Sequence, residues 1–173
     1  MKYISSDTNV WIDFVTINRI ALPFRLPYTY IMNQDAIDEE LLSPPDFKEQ
    51  LISAGLVATE LTDDEFFLAE SYGTRYRKLS VHDRIALAIA KKRNITLLTG
   101  DQALRNAARS EGVPLIGTIG ILDQLHDQEL ISTEEYVNSL KDLQAKTGTV
   151  VRLPANELEI LIRRLYQKKH IHT

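Results

Sequence analysis

Short runs of β-branched and aromatic residues alternate along the chain with longer segments whose apolar positions recur at helical spacing. This alternation predicts a parallel α/β domain. Candidate strands cover residues 3–6, 28–32, 56–61, 95–99 and 114–116, each followed by a segment that opens with polar capping chemistry. The spacing predicts helices over 10–18, 36–42, 45–54, 63–76, 81–92, 102–110 and 120–128. An extended link, residues 20–27, precedes the second strand. From about Ser132 the pattern changes: residues 132–146 and 154–168 are amphipathic helices joined by residues 147–152, and no strand follows them. The second of these carries Leu158, Leu161, Ile162 and Leu165 along one face, with Pro154 near its first turn, where proline is tolerated. The expected organisation is a domain over residues 1–130 and a helical extension, 131–173, packed on the same domain. The apolar stripe also suits a partner or a second protomer.

Composition narrows the setting. A chain of 173 residues, 44% hydrophobic, can bury one sizeable core. Without cysteine there is neither a disulfide framework nor a thiolate zinc site, and a reducing compartment is expected. The longest uncharged stretch, residues 112–122, holds three glycines and a proline and falls short of the ~18 apolar residues of a spanning helix. No membrane segment is expected. Met1 and Lys2 run directly into the first strand, which leaves no room for a signal peptide, so the expected location is cytoplasmic. The net charge of -4 argues against binding nucleic acid by overall charge alone.

The excess acid has a candidate place. Asp7 follows the first strand and Asp101 the fourth, and in an open parallel sheet ligands bind at the strand carboxyl ends where strand order reverses. Asp83 stands three residues after Ser80, the spacing of a capping box, so helix capping competes with a ligand role there. Asp7 and Asp101 face the same alternative, because an Asp at a helix start is stabilised by unpaired N–H groups. A further acid comes from the segment 35–42 after the second strand. With Ile37 and Leu41 marking its buried side, Glu40 falls about 60° from Ile37 and Glu39 nearly opposite, which favours Glu40. Setting these four acids aside leaves 20 acids against 20 bases. Hard oxygen ligands of this kind suit Mg2+ or Mn2+, and two such ions can support an in-line displacement at phosphorus.

The ordered set 4–10 (Ile-Ser-Ser-Asp-Thr-Asn-Val), Glu40-Leu41, 80–90 (Ser-Val-His-Asp-Arg-Ile-Ala-Leu-Ala-Ile-Ala) and 97–101 (Leu-Leu-Thr-Gly-Asp) resembles a PIN domain, over roughly residues 1–120. It looks most like the VapC-type toxin ribonucleases of toxin–antitoxin pairs. The resemblance implies a three-layer α/β/α sandwich around a central parallel sheet of about five strands, to which the sequence pattern adds the C-terminal helices. It implies metal-dependent endoribonuclease activity, RNA as substrate, an antitoxin partner and a homodimer. Asp7, Glu40, Asp83 and Asp101 become catalytic metal ligands, with Asn9 and Thr99 as supporting polar residues. The polar Ser5 and Ser6 and the long C-terminal tail depart from the family pattern.

Other residues carry weaker signals. Arg75, Arg77 and Lys78, and Arg105 with Arg109, are placed to meet RNA phosphates or to be ordinary solvated charges. Tyr72 and Tyr76 suit either base stacking or packing. His82 is expected as a lone surface residue, and the His170–His172 tail as a frayed end. A haloacid-dehalogenase-type phosphatase shares the 7–10 and 100–101 motifs but needs a second acid where this chain has Asn9. A scaffold that binds RNA or a partner without cutting is the non-enzymatic rival.

Overall fold

The computed structural model describes residues 2–146 and 155–171. At its centre is an all-parallel sheet of β1 (Lys2–Ser6), β2 (Tyr28–Asn33), β3 (Val57–Thr59), β4 (Thr96–Leu98) and β5 (Leu115–Ile116), in the order β3-β2-β1-β4-β5. The chain leaves β1 toward β2 and β3 on one side, then returns to add β4 and β5 on the other. Strand order therefore reverses between β1 and β4, where Ser5 pairs with Leu97 and Ser6 with Leu98. The helices are α1 (Thr8–Thr16), α2 (Gln34–Glu40), α3 (Phe47–Ala54), α4 (Asp63–Arg75), α5 (Val81–Arg93), α6 (Gln102–Ser110), α7 (Thr118–Asp127), α8 (Thr133–Lys146) and α9 (Ala155–Ile171).

Successive strand side chains point to opposite faces, and the core divides accordingly. Ile4 and Leu98 join Trp11, Phe14, Ile37, Leu122 and Leu140 on one face. Leu97 joins Leu87, Leu104 and Ala107 on the other. The result is the expected three-layer α/β/α sandwich. The same alternation accounts for the two serines inside β1. Ser5 Oγ donates to the Ala86 carbonyl of α5 (2.9 Å). Ser6 Oγ donates to the Ile31 carbonyl (3.0 Å) and accepts the Trp11 indole N–H (3.1 Å). Buried polar groups are tolerated when hydrogen-bonded, and here they tie β1 to a helix on each face.

Residues 20–27 are not an extended link. They hold a 3-10 turn, Leu22–Arg25, with Leu22 and Leu26 buried. Phe24 stacks on Trp11 at 5.2 Å, and the Tyr30 hydroxyl donates to the Pro23 carbonyl (2.7 Å). These partners are distant or on other elements, so local pattern does not show them. Strand β3 is shorter than residues 56–61, because Thr62 already caps α4 in a reciprocal box with Glu65. Gly120 admits α7 close to β5: a Cβ there would stand 2.8 Å from Ile116 Cγ1.

The C-terminal helices join the same core. Tyr136, Val137, Leu140 and Leu143 of α8 are buried, as is Ile162 of α9, with Leu161 and Leu165 packed beside it. Arg19 pins the end of α1 to α8 through Glu135 (3.0 Å) and Asp142 (2.6 Å). Residues 147–152, Pro154, and the side chains of Leu158 and of the His170–His172 tail lie outside the described residues. No helix among the described residues is long and apolar enough to cross a membrane.

Candidate functional site

Two strand ends create the site. The Asp7 backbone N–H donates to the Leu98 carbonyl (2.9 Å), which extends the β1–β4 pairing by one residue and sets Asp7 beside Thr99 at the reversal point. Thr99 Oγ1 donates to Asp7 Oδ2 (2.9 Å) and accepts the Asp101 backbone N–H (3.1 Å). A single buried hydroxyl thus links the two strand-end acids. Asn9, in the first turn of α1, adds a second donor to Asp7 Oδ2 at 3.3 Å. Both Asp7 and Asp101 occupy N-cap positions, yet neither side chain makes a capping hydrogen bond. The competing helix-start role is left to the backbone, and neither carboxyl group is taken up as a cap.

The other two acids arrive from helices. The Ser5–Ala86 hydrogen bond holds α5 over β1, and Asp83 lies in the first turn of α5. Its Oδ2 accepts the Ser80 N–H (3.0 Å) while Ser80 Oγ accepts the Asp83 N–H (3.1 Å), so Asp83 does complete a capping box. Glu40 ends α2, and its Oε1 accepts a hydrogen bond from Thr8 Oγ1 (2.9 Å). Glu39 does not line the cleft but meets His82 Nε2 at 2.7 Å, and His82 lines it beside Asp7, Thr8 and Glu40. His82 is therefore a half-buried partner of Glu39, and Glu39, although exposed, is not simply solvated.

Electrostatically, the other three acids all act on Asp7. Asp7 is only 5% exposed. Burial, then Asp83, and further Glu40 and Asp101 push its carboxyl up to about 7 from the ordinary 3.8, against the opposing effect of the Thr99 hydrogen bond. Among the described residues, no three His, Asp or Glu side chains stand close enough together to make a ready metal centre. The donors present are hard carboxylate oxygens, and Glu40 and Asp83 are held by Thr8 and Ser80 respectively.

The expected accessory residues separate. Tyr72 is fully buried and its hydroxyl donates to Glu111 (3.0 Å), as does that of Tyr76 (2.5 Å). Arg75 pairs with the same Glu111 at 3.0 Å. This is a packed cluster between α4 and the end of α6, so Tyr72 is not free to stack on a base. Arg77 and Lys78 are exposed in the turn before α5, and Arg109 is exposed on α6. Arg105, half-buried, lines a cavity that begins at Gly100. Sequence reasoning missed Thr8, whose position beside Asp7 was visible but whose partner, Glu40, lies 32 residues away.

A family model described as DUF3368, a PIN domain, matches residues 3–166. The match runs through the C-terminal helices, beyond the stretch on which the sequence resemblance rests. No curated protein and no solved structure gives a significant match.

Proposed function

Because this chain belongs to the PIN domain family, whose members are generally nucleases, we propose that it is a divalent-metal-dependent endoribonuclease whose catalytic acids are Asp7, Glu40, Asp83 and Asp101. The observation that carries this reading is the buried Asp7 carboxyl, with three further acids acting on it at the sheet's reversal point. Isolated burial of a carboxylate among others of like charge is unfavourable, and a bound cation is what turns such a cluster into a stable arrangement. The four acids offer only hard oxygen donors and the chain has no thiol, which fits Mg2+ or Mn2+; His82, in the same cleft, gives Nε2 to Glu39 and leaves Nδ1 without a partner. Bound there, such an ion would supply charge stabilisation at phosphate oxygens and a water of lowered pKa.

The chain's own residues prepare that role. Thr99 and Asn9 both donate to Asp7 Oδ2, which fixes the carboxylate rotamer and leaves Oδ1 as the less engaged oxygen. Thr8 holds Glu40 toward the same cleft. The packed β1–β4 edge keeps these groups on rigid elements, as a preorganised site requires. The test is cleavage of single-stranded RNA by purified protein with Mg2+ or Mn2+. The expected result is cleavage that stops in chelator and in Asp7→Asn while circular dichroism shows an intact fold. Equal cleavage by the folded variant would overturn the assignment. The toxin role implied by the resemblance has its own test: growth arrest on expression, relieved by a co-encoded partner. Normal growth would place the enzyme in RNA processing instead.

A further inference from the structure

A second feature lies next to the carboxylates. Between α9 and the carboxyl ends of β4 and β5 there is a cavity of about 470 Å³, and its lining begins at Gly100, the residue before Asp101. The size lies within the ~300–1,000 Å³ of ordinary ligand pockets. A Cβ built on Gly100 would meet nothing within 4 Å, so no neighbouring group fills the space at the end of the cavity nearest Asp101. Ile116, Ile119 and Ile160 form apolar wall, and Ile160 is 49% exposed. Arg105 from α6 and Arg164 from α9 also line the cavity, and among the described residues no Asp or Glu does.

These two arginines differ from others in the chain. Arg19, Arg75, Arg93 and Arg163 each pair with a carboxylate. The side chains of Arg105 and Arg164 have no hydrogen-bond or ion-pair partner among the described residues. Two unpaired guanidinium groups in one concavity with low-dielectric walls focus a positive potential. In a chain of net charge -4, a polyanion needs such a local basic site, because overall charge repels it. Guanidinium groups beside an apolar wall match the chemistry of a nucleotide unit, which offers an anionic phosphate and an aromatic base.

We propose that this cavity binds the stretch of single-stranded RNA adjoining the scissile phosphate, with Arg105 and Arg164 as positioning residues for its phosphates and the isoleucine wall against a base. The proposal rests on the nuclease reading of the neighbouring acids, and its test separates the two. Binding of a fluorescein-labelled single-stranded RNA oligonucleotide is measured by anisotropy across a salt series. The full chain carries Asp7→Asn to prevent cleavage, alone or with Arg105→Gln and Arg164→Gln together. Arg163→Gln, which removes one positive charge from α9 outside the cavity, is the control for a change of charge on that helix.

The paired substitution is expected to weaken RNA about tenfold or more and to lower the salt slope by about 1.4, two contacts at ~0.7 each. The control should leave both unchanged. In the otherwise wild-type enzyme the pair should raise KM far more than it lowers kcat. Unchanged affinity and slope in the paired variant would overturn the proposal. A changed sedimentation coefficient with unchanged RNA affinity would overturn it too, assigning the cavity to contact between copies. RNA binding that depends on both arginines in a protein that never cleaves would uphold the subsite and remove the nuclease reading.

Discussion

Replacing Asp7 by Asn should make the metal-free protein more stable while removing its activity. Asp7 is buried, and its carboxyl is pushed up to about 7 by that burial and by Asp83, Glu40 and Asp101, whereas in an unfolded chain it ionises near 3.8. The folded state thus holds a proton that the unfolded state has lost between those two values, so wild-type stability falls as pH rises from about 4 to about 7 and stays low above that. At ~1.36 kcal/mol per unit, a shift of about 3 units is ~4 kcal/mol. The Asp7→Asn variant escapes that penalty but gives up a charge-assisted hydrogen bond from Thr99 and introduces amide hydrogens that need partners, together about 1–2 kcal/mol. A net gain of about 2–3 kcal/mol at pH 8 corresponds to a rise of ~4–12 °C in Tm for a domain of this size. The assay is thermal unfolding in chelator at pH 5 and pH 8. The variant should gain at pH 8 and much less at pH 5, and saturating Mn2+ should narrow the difference by stabilising the wild type alone. An Asp7→Asn protein no more stable than wild type at pH 8, or a difference independent of pH, would refute the reasoning.

Other consequences concern the frame around the site. Glu65 is buried, and Arg93 grips it with a two-point fork at 2.7 and 3.0 Å while also reaching the Thr59 hydroxyl and the Glu60 carbonyl. Because Arg93 is partly exposed, Arg93→Met should cost about 2–4 kcal/mol in urea unfolding at pH 7, somewhat below the full cost of stranding a buried charge. Burial raises the Glu65 carboxyl, but the Arg93 and Thr62 hydrogen bonds outweigh it and hold the group below its ordinary value. Its contribution is therefore present above about pH 4.3 and lost as pH falls further, so the gap between wild type and variant should shrink in acid. Ser6→Ala strands the buried Trp11 N–H and should cost about 1–3 kcal/mol, followed by tryptophan fluorescence during urea unfolding. Thr118→Val removes the hydroxyl that donates to buried Asp13 at 2.6 Å and should lower stability by about 1–3 kcal/mol in the same assay.

Local pattern revealed the elements better than the contacts between them. The β-branched and aromatic runs located all five strands of the sheet, although β3 buries none of its own residues and β5 only partly buries its two. The turn at Leu22–Arg25 escaped notice because two prolines mask its periodicity and its stabilising partners, Trp11 and Tyr30, come from other elements. For the acids, strand position could place Asp7 and Asp101 at one edge, and Ser80 could announce the box that Asp83 completes. Helical phase favoured Glu40 but could not see Thr8 or the His82 that draws Glu39 aside. Arg105 looked no different from Arg109 in the sequence. Only the seating of α9 distinguishes them, by closing a cavity around the first.

The most direct measurement is single-turnover cleavage of one RNA in Mn2+ by Asp7→Asn, Glu40→Gln, Asp83→Asn and Asp101→Asn, each verified as folded, beside Glu39→Gln. Each of the four should lose ~100-fold or more in rate, the scale seen when a preorganised electrostatic group is removed from an active site. Glu39→Gln should cleave at close to the wild-type rate. Wild-type cleavage by folded Asp7→Asn or Asp101→Asn would contradict the claim that these strand-end carboxylates form the centre of a nuclease.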